Sequence, residues 1–420
     1  MENEAKPKKK EFNTCLLYLL IGLMIFTGST NTIATKTQTK LKGLNILYEE
    51  HQWFITYGMF IGEMFSLIGY VVHMVQKCKK KNAVENDSLV EEHHEGEEKP
   101  EASNFIFAST AMCDLCATTL NTFGITYLSS SIYQMFRGFE LLFIVLFSKI
   151  FLKSTIYRHH ILAVGSVISG LFCVGLTAYL YPPPSSQGTS PKSPFVGMAF
   201  LFAAQFFSYT QYTIQEKLVK SYNVNSFQLV GFEGLWGASV YTLMLIIFQN
   251  VNCGPWSPDL RTFCIKNEKD EWHLEDTLFA FRQMGDNHTL LGVVILHVTS
   301  IALYNFVGIN LTQFVSSTAR AIVDTVRTVF VWLFFLIPSP LRVEGSEKSF
   351  HVLQFFGFIL LISGTLIYNE IVEIKFFELN KYTRTQIAKR KKEEEGETEE
   401  ERLFRESTQS NDAVNKPTES

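Results

Sequence analysis

Residues 129–152, SSSIYQMFRGFELLFIVLFSKIFL, and residues 316–338, SSTARAIVDTVRTVFVWLFFLIP, carry one pattern twice. At an offset of 187, Ser129-Ser130-Ser131 falls on Ser316-Ser317-Thr318, Arg137 on Asp324, Glu140 on Arg327, Phe143 on Phe330 and Phe147 on Phe334. Each stretch opens on a hydroxyl triplet and then runs apolar for about 20 residues, the length that crosses a bilayer. Each also holds one acid and one arginine three residues apart, in opposite order. On a helix that spacing puts both charges on one face. Two accounts follow, and both can hold at once: a local ion pair within each helix, or two charged faces brought to a shared cavity by a repeated fold. A weaker echo joins Thr32-Ile33 and Lys36 to Thr213-Ile214 and Lys217.

Working outward, the chain has 420 residues, 47% hydrophobic and 14% aromatic, with 37 Lys and Arg against 41 Asp and Glu. Of these 78 charges, 42 sit in residues 1–11, 77–101 and 373–420, which hold only 84 residues. A soluble protein spreads charge over its surface, whereas this chain confines it between long apolar blocks, the pattern of a polytopic membrane protein. A net charge of −4 gives no sign of a nucleic-acid partner. Ten stretches qualify as spans: 14–36, 53–75, 103–126, 130–152, 160–181, 194–216, 227–250, 288–313, 317–338 and 351–372. The expected fold is all-α and integral to the membrane, with ten transmembrane helices as two inverted five-helix repeats. Five crossings per half is an odd number, which forces the inversion familiar from secondary transporters.

The domain plan is a cytosolic N-terminus at 1–13 and a first repeat at 14–181 with a charged cytosolic loop at 77–102. A lumenal Pro/Ser-rich linker at 182–193 leads to a second repeat at 194–372, with a lumenal loop at 251–287. A disordered charged tail follows at 373–420. Lys and Arg collect before the first span and after the second, fourth, sixth and tenth, which places both termini in the cytosol. No cleavable leader is evident. Cys253 and Cys264 share the lumenal loop and are a candidate disulfide, and Asn287-His288-Thr289 is a glycosylation sequon close to a helix. Cys78, among lysines, reads as a free thiol sooner than a palmitoylation site. In the tail, Glu399 with Leu403-Phe404 resembles an acidic dileucine signal, hence a contact for sorting adaptors. Ser166 and Gly170 form a small-residue patch suited to tight helix packing or to a homodimer contact.

An ionisable group in the hydrocarbon region costs at least about 2.5 kcal/mol, so such groups face a cavity or a partner. Candidate cavity residues are Glu63, Asp114, Asn121, Arg137, Glu140, Glu233, Asn305, Asp324 and Arg327. Arg137 and Arg327 are the candidate clamps for an anionic group, because guanidinium offers several donors in one plane. Arg320, near a helix end, is expected to snorkel to the interface. His297 reads as a packed imidazole sooner than a proton relay. Asn121 and Asn305 suit a polar solute or interhelical glue equally. Cys113-Asp114-Leu115-Cys116 lacks the second pair that a zinc site needs. No catalytic residue, metal or cofactor is expected, and no phosphate loop, zincin helix or nucleophile elbow occurs.

These residues also resemble a known family. The first-span run Gly22 to Ser29 with Asn31-Thr32 and Lys36, Gly58 to Glu63, Cys113-Asp114, Gln134-Met135 with Arg137-Gly138, and Gln215-Glu216-Lys217 are similar to solute carrier family 35, subfamily F, member 6 type, in the drug/metabolite transporter superfamily. So are Glu233-Gly234-Leu235, Asn305-Phe306 with Gly308-Ile309, and Ala321 to Trp332. The similarity covers about residues 14–370. It implies a ten-helix secondary transporter, like nucleotide-sugar carriers in fold, in an intracellular membrane. The lysosomal membrane comes first, with Golgi and mitochondrial membranes as alternatives. The expectation is thus an alternating-access carrier of a small polar, anionic or zwitterionic solute, its partners being that solute and the lipid bilayer. The alternative is a non-transporting membrane adaptor acting through its tail.

Overall fold

The computed structural model describes residues 14–48, 51–86, 100–128, 130–150, 157–181, 194–256, 264–266, 271–336 and 351–368, together with 370, 383, 386, 387, 389 and 390. Helix occupies each of the ten apolar stretches. These helices are α1 (Thr14–Lys40), α2 (Gln52–Met64), α3 (Ser66–Asn86), α4 (Phe107–Tyr127), α5 (Ser130–Phe136), α6 (Phe139–Ile150) and α7 (Arg158–Leu180). They continue with α8 (Pro194–Ser221), α9 (Ser226–Asn250), α10 (Thr277–Asp286), α11 (His288–Phe314), α12 (Ser317–Leu336) and α13 (Val352–Tyr368). Among the described residues, five stretches are long and apolar enough to cross a membrane: Cys15–Lys40, Gln52–Lys79, Arg158–Leu180, Ser226–Asn250 and His288–Phe314. Lipid leaves no other partner for backbone N–H and C=O groups, so helix is the only spanning form such segments can take. Outward faces are apolar as lipid contact requires; on α7, Ile161, Ile168 and Phe172 all stand exposed.

The second and fourth apolar stretches are each broken in two. The chain turns at Phe65 between α2 and α3, and at Arg137-Gly138 between α5 and α6. At both points the apolar residues on either side keep the averaged hydropathy high, so neither break shows in a hydropathy reading. The charged stretch expected from residue 77 as loop is helical as far as Asn86, because α3 runs on into it.

Packing pairs the helices in a regular way. α1 lies along α11, α4 along α8, α2 along α9, and α7 along α13. Further contacts join α1 to α12, α6 to α8, α2 to α11 and α4 to α9. The α7–α13 seam explains Ser166 and Gly170. Ser166 Oγ donates to the Leu360 carbonyl at 2.8 Å, and a Cβ on Gly170 would stand 2.7 Å from the Gly357 carbonyl. The small-residue patch is therefore filled within the chain by α13 and is not left for a dimer.

Residues 251–287 form more than a loop. Cys253 and Cys264 are joined in a disulfide. β3 (Ile265–Lys266) pairs antiparallel with β4 (Trp272–His273). α10 packs its buried Phe279, Ala280, Gln283 and Met284 inward, Gln283 donating to the Gly43 carbonyl of the small β1–β2 hairpin, Lys42–Gly43 with Ile46–Leu47. His51 and Glu275, both fully buried, meet at 2.6 Å, and Glu275 Oε2 accepts the Phe54 amide at 3.1 Å. The connection between α1 and α2 is thus docked onto the one between α9 and α11.

Candidate functional site

A cavity of about 110 Å³ lies at the centre of the helices. Its walls come from α1 (Asn31, Thr35), α2 (Thr56, Met59), α4 (Asp114, Thr118, Asn121), α5 (Tyr133) and the break after it (Arg137), α8 (Gln211, Tyr212), α11 (His297, Tyr304, Asn305) and α12 (Arg327). Five of the nine candidate residues line it: Asp114, Asn121, Arg137, Asn305 and Arg327. Glu63, Glu140, Glu233 and Asp324 stand behind the wall, each no more than 2% exposed. No residue of α9 stands among the lining residues; Glu233 of α9 reaches the wall through Gln211.

Two charge clusters organise the region. In the first, Asp324 accepts from Arg137 across the interface and from the Tyr304 hydroxyl, and Arg327 Nη2 lies 2.9 Å from Asp324 Oδ1. The Arg327 guanidinium also stacks over the Tyr304 ring at 4.7 Å. One carboxylate thus serves two guanidinium groups. Of the two, Arg137 is the more open to the cavity, at 15% side-chain exposure against 2% for Arg327. Among the described residues the local ion pair forms in α12, whereas Arg137 pairs with Asp324; the helix breaks at Arg137-Gly138, and Glu140 sits in the first turn of α6. Glu140 Oε1 is buried with no hydrogen-bond partner.

The second cluster surrounds Arg320, which overturns the snorkelling expectation. Arg320 is 1% exposed, stacks on the Tyr212 ring at 4.0 Å, and donates to Gln215 Oε1 at 2.7 Å and to Asn305 Oδ1 at 3.2 Å. Each amide passes the contact on to a carboxylate. Asn305 Nδ2 donates to Glu63, and Gln215 Nε2 donates to Glu233 Oε2 at 2.9 Å, where Gln211 adds a bond of 2.7 Å. Five helices, α2, α8, α9, α11 and α12, are tied through one guanidinium. Sequence reasoning missed Arg320 because nearness to a helix end stood in for nearness to the interface; Glu216 covers that end by accepting the Ser317 amide at 2.8 Å. The sequence signal that points to Arg320 is Gln215, a polar amide at the end of an apolar stretch that needs a buried partner.

Glycines make room for both arginines. A Cβ on Gly28 would stand 2.5 Å from Arg327 Cδ, and one on Gly308 would stand 2.6 Å from Arg320 Nε. Elsewhere on the wall, Asn31 Nδ2 donates to His297 Nδ1 at 3.0 Å, so this imidazole is engaged by α1. Gln205 donates to Asn121 Oδ1 at 3.4 Å, and Thr118 to Asp114 Oδ1 at 3.0 Å. Asn287 sits at the start of α11, where its side chain accepts the Thr289 and Leu290 amides and donates to the Lys42 carbonyl at 2.9 Å. The dileucine-like Leu403-Phe404 and the 182–193 linker lie outside the described residues.

Apolar helices long enough to cross a membrane, gathered around a cavity lined by charged side chains, fit a membrane transporter, and the relatives of the chain agree. The chain is 31% identical over 355 residues to solute carrier family 35 member F6 of Homo sapiens, covering 83% of this chain and 88% of that protein. It is likewise 31% identical to the protein of that name from Rattus norvegicus, and 27% identical to an uncharacterized protein of Schizosaccharomyces pombe across 86% of this chain. The chain therefore belongs to the family of solute carrier family 35 member F6. A solved crystal structure at 13% identity covers 86% of this chain and 98% of its own with a TM-score of 0.50, a likeness of fold alone. No family model matches the chain.

Proposed function

We propose that the chain is an alternating-access carrier built from two inverted five-helix halves, moving a small anionic or zwitterionic solute across an intracellular membrane. The lysosomal membrane is the first place to look, and both termini are taken as cytosolic. The observation that carries the substrate class is the Arg137–Asp324–Arg327 cluster. Two guanidinium groups converge on one carboxylate, and Arg137 is the one more open to the cavity, where its planar donors can meet an anionic group of the solute. The amides of Asn31, Asn121 and Gln211 add neutral donors and acceptors on the remaining walls.

The inverted repeat is supported by the pattern of helix packing. Number the ten stretches in order and exchange each with its mate five places on. α1–α11 then becomes α8–α4, α1–α12 becomes α8–α6, α2–α11 becomes α9–α4, while α2–α9 and α7–α13 map onto themselves. Each of these contacts has its mate in the fold, which is what an internal two-fold axis requires.

The test is uptake of a pooled metabolite library into proteoliposomes, read by mass spectrometry, under imposed pH gradients of both signs. A solute enriched by the wild type and lost in Arg137→Ala/Arg327→Ala supports the proposal and identifies the substrate class. An empty result under both gradients, or enrichment that the double variant retains, overturns it.

A further inference from the structure

At the Arg320 cluster three carboxyl groups meet one arginine. Asp114 of α4 has Glu63 of α2, Glu233 of α9 and Arg320 of α12 as charged neighbours. The other titratable groups beside it, Cys113 on the same helix and Tyr241 of α9, are neutral at pH 7. The acids are buried, Glu63 at 1%, Glu233 at 2% and Asp114 at 6% exposure. One guanidinium balances one of them, and like charges packed in a dry site do not all ionise, so the cluster holds protons.

Hydrogen bonding says which acids hold them. Glu233 receives donors at both oxygens: Gln211 at 2.7 Å and Gln215 at 3.2 Å on Oε1, and Gln215 at 2.9 Å on Oε2. Gln215 in turn accepts from Arg320, so Glu233 is the acid that the arginine balances. Glu63 and Asp114 are different. Each has one oxygen that accepts, from Asn305 and from Thr118 in turn, and one that is buried with no hydrogen-bond partner, Glu63 Oε2 and Asp114 Oδ2. A buried carboxylate oxygen without a donor is costly, and such a group takes up a proton instead. Of the two, Asp114 lines the cavity and Glu63 does not, so the Asp114 proton is the one that can exchange there.

Asp114 and Arg137 face the same cavity. On the carrier reading, Arg137 holds the anionic group of the solute. An ionised Asp114 repels that anion, and a protonated one does not. We propose that Asp114 is the proton site of the carrier and that one proton travels with each solute molecule, an inference that rests on the carrier reading. The proton adds to the Asp114 carboxylate from water on one side of the membrane and leaves to water on the other, so the carboxyl group is restored in each cycle.

Two measurements on the full chain test this. Infrared difference spectroscopy of the protein in lipid, taken across a pH titration, reads the carbonyl stretch of protonated carboxylic acids. One titrating band should vanish in Asp114→Asn. Should that variant fail to fold, Thr118→Val keeps the carboxyl group, removes the donor to Oδ1 and should shift the frequency of the band. The second measurement is uptake of the pooled metabolite library into proteoliposomes with and without an inward acid gradient. The gradient should raise accumulation several-fold in the wild type and have no effect in Asp114→Asn. A full set of bands in Asp114→Asn, or an unshifted band in Thr118→Val, overturns the proton site. Wild-type accumulation indifferent to the gradient, or a gradient effect kept by Asp114→Asn, overturns the coupling. A band assigned to Asp114 in a chain that enriches no solute overturns the coupling through the carrier reading, and the proton site then stands by itself.

Discussion

Arg137 and Asp324, which occupy matching places in the two halves of the sequence, are bonded directly to one another. Removing one member of a buried pair leaves an uncompensated charge and costs about 3–5 kcal/mol. Asp324→Ala, which strands both Arg137 and Arg327, should fall in that range. Arg137→Ala leaves Asp324 with Arg327 and Tyr304 and should cost only about 1–3 kcal/mol. Melting of the detergent-solubilised variants gives the order, and the reverse order would dissolve the shared-carboxylate account. Once a solute is in hand, Arg137→Ala should lower uptake by about 10- to 100-fold, the worth of a charged hydrogen bond.

Gly28 is occupied space in all but name. Gly28→Ala drives its methyl into the Arg327 side chain and should destabilise by about 1–3 kcal/mol. Gly22, earlier on α1, would meet nothing within 4 Å of an added methyl group, so Gly22→Ala should be neutral or slightly stabilising. Equal melting temperatures for the two variants would refute the assigned contact.

The disulfide closes a separation of 11 residues. By the loop-entropy relation Cys253→Ser/Cys264→Ser should cost about 3 kcal/mol, felt in the 251–287 segment. Limited proteolysis with and without reductant checks this, with new cuts expected in that segment and little change in the helices.

Tyr48 lies outside the crossing helices, buried at 1% exposure, and its hydroxyl has no hydrogen-bond partner. Burial, and then the Glu275 carboxylate, push its pKa well above the usual value of 10.0. The unfolded chain therefore loses this proton first as pH rises, and folding stability declines above pH about 10. Tyr48→Phe should remove that part of the slope and leave stability at neutral pH unchanged or slightly higher. A wild-type slope surviving in Tyr48→Phe would place the titration elsewhere.

Asn287 caps α11 with the side-chain amide that glycosylation would consume. The sequon should remain unmodified, so glycosidase treatment leaves electrophoretic mobility unaltered. Asn287→Ala should cost about 1 kcal/mol for the lost cap.

What was legible from residues followed from a single severe constraint. Lipid admits only long apolar helices, so stretches such as 14–36, 160–181 and 227–250 announce themselves, while charges inside them mark where partners must be found. What escaped was whatever hydropathy averages away. The turn at Arg137-Gly138 lies between apolar residues that keep the average high, α10 is short and amphipathic, and the α11–α12 turn beside Arg320 is covered by Glu216 from another part of the chain. Arg137 lines the cavity and bonds to Asp324, a partner 187 residues away that the i,i+3 spacing within one helix cannot report.

The Arg137–Asp324 bond also bears on how such a chain arises. If the halves descend from one duplicated gene, both positions began as the same residue. Two identical subunits meeting at a two-fold axis would have set like charge against like, arginine facing arginine or aspartate facing aspartate. The attraction requires the two positions to differ, which becomes possible once the copies are encoded separately. Asymmetry of charge at this position is thus something two unlike halves can hold and a symmetric pair of identical subunits could not.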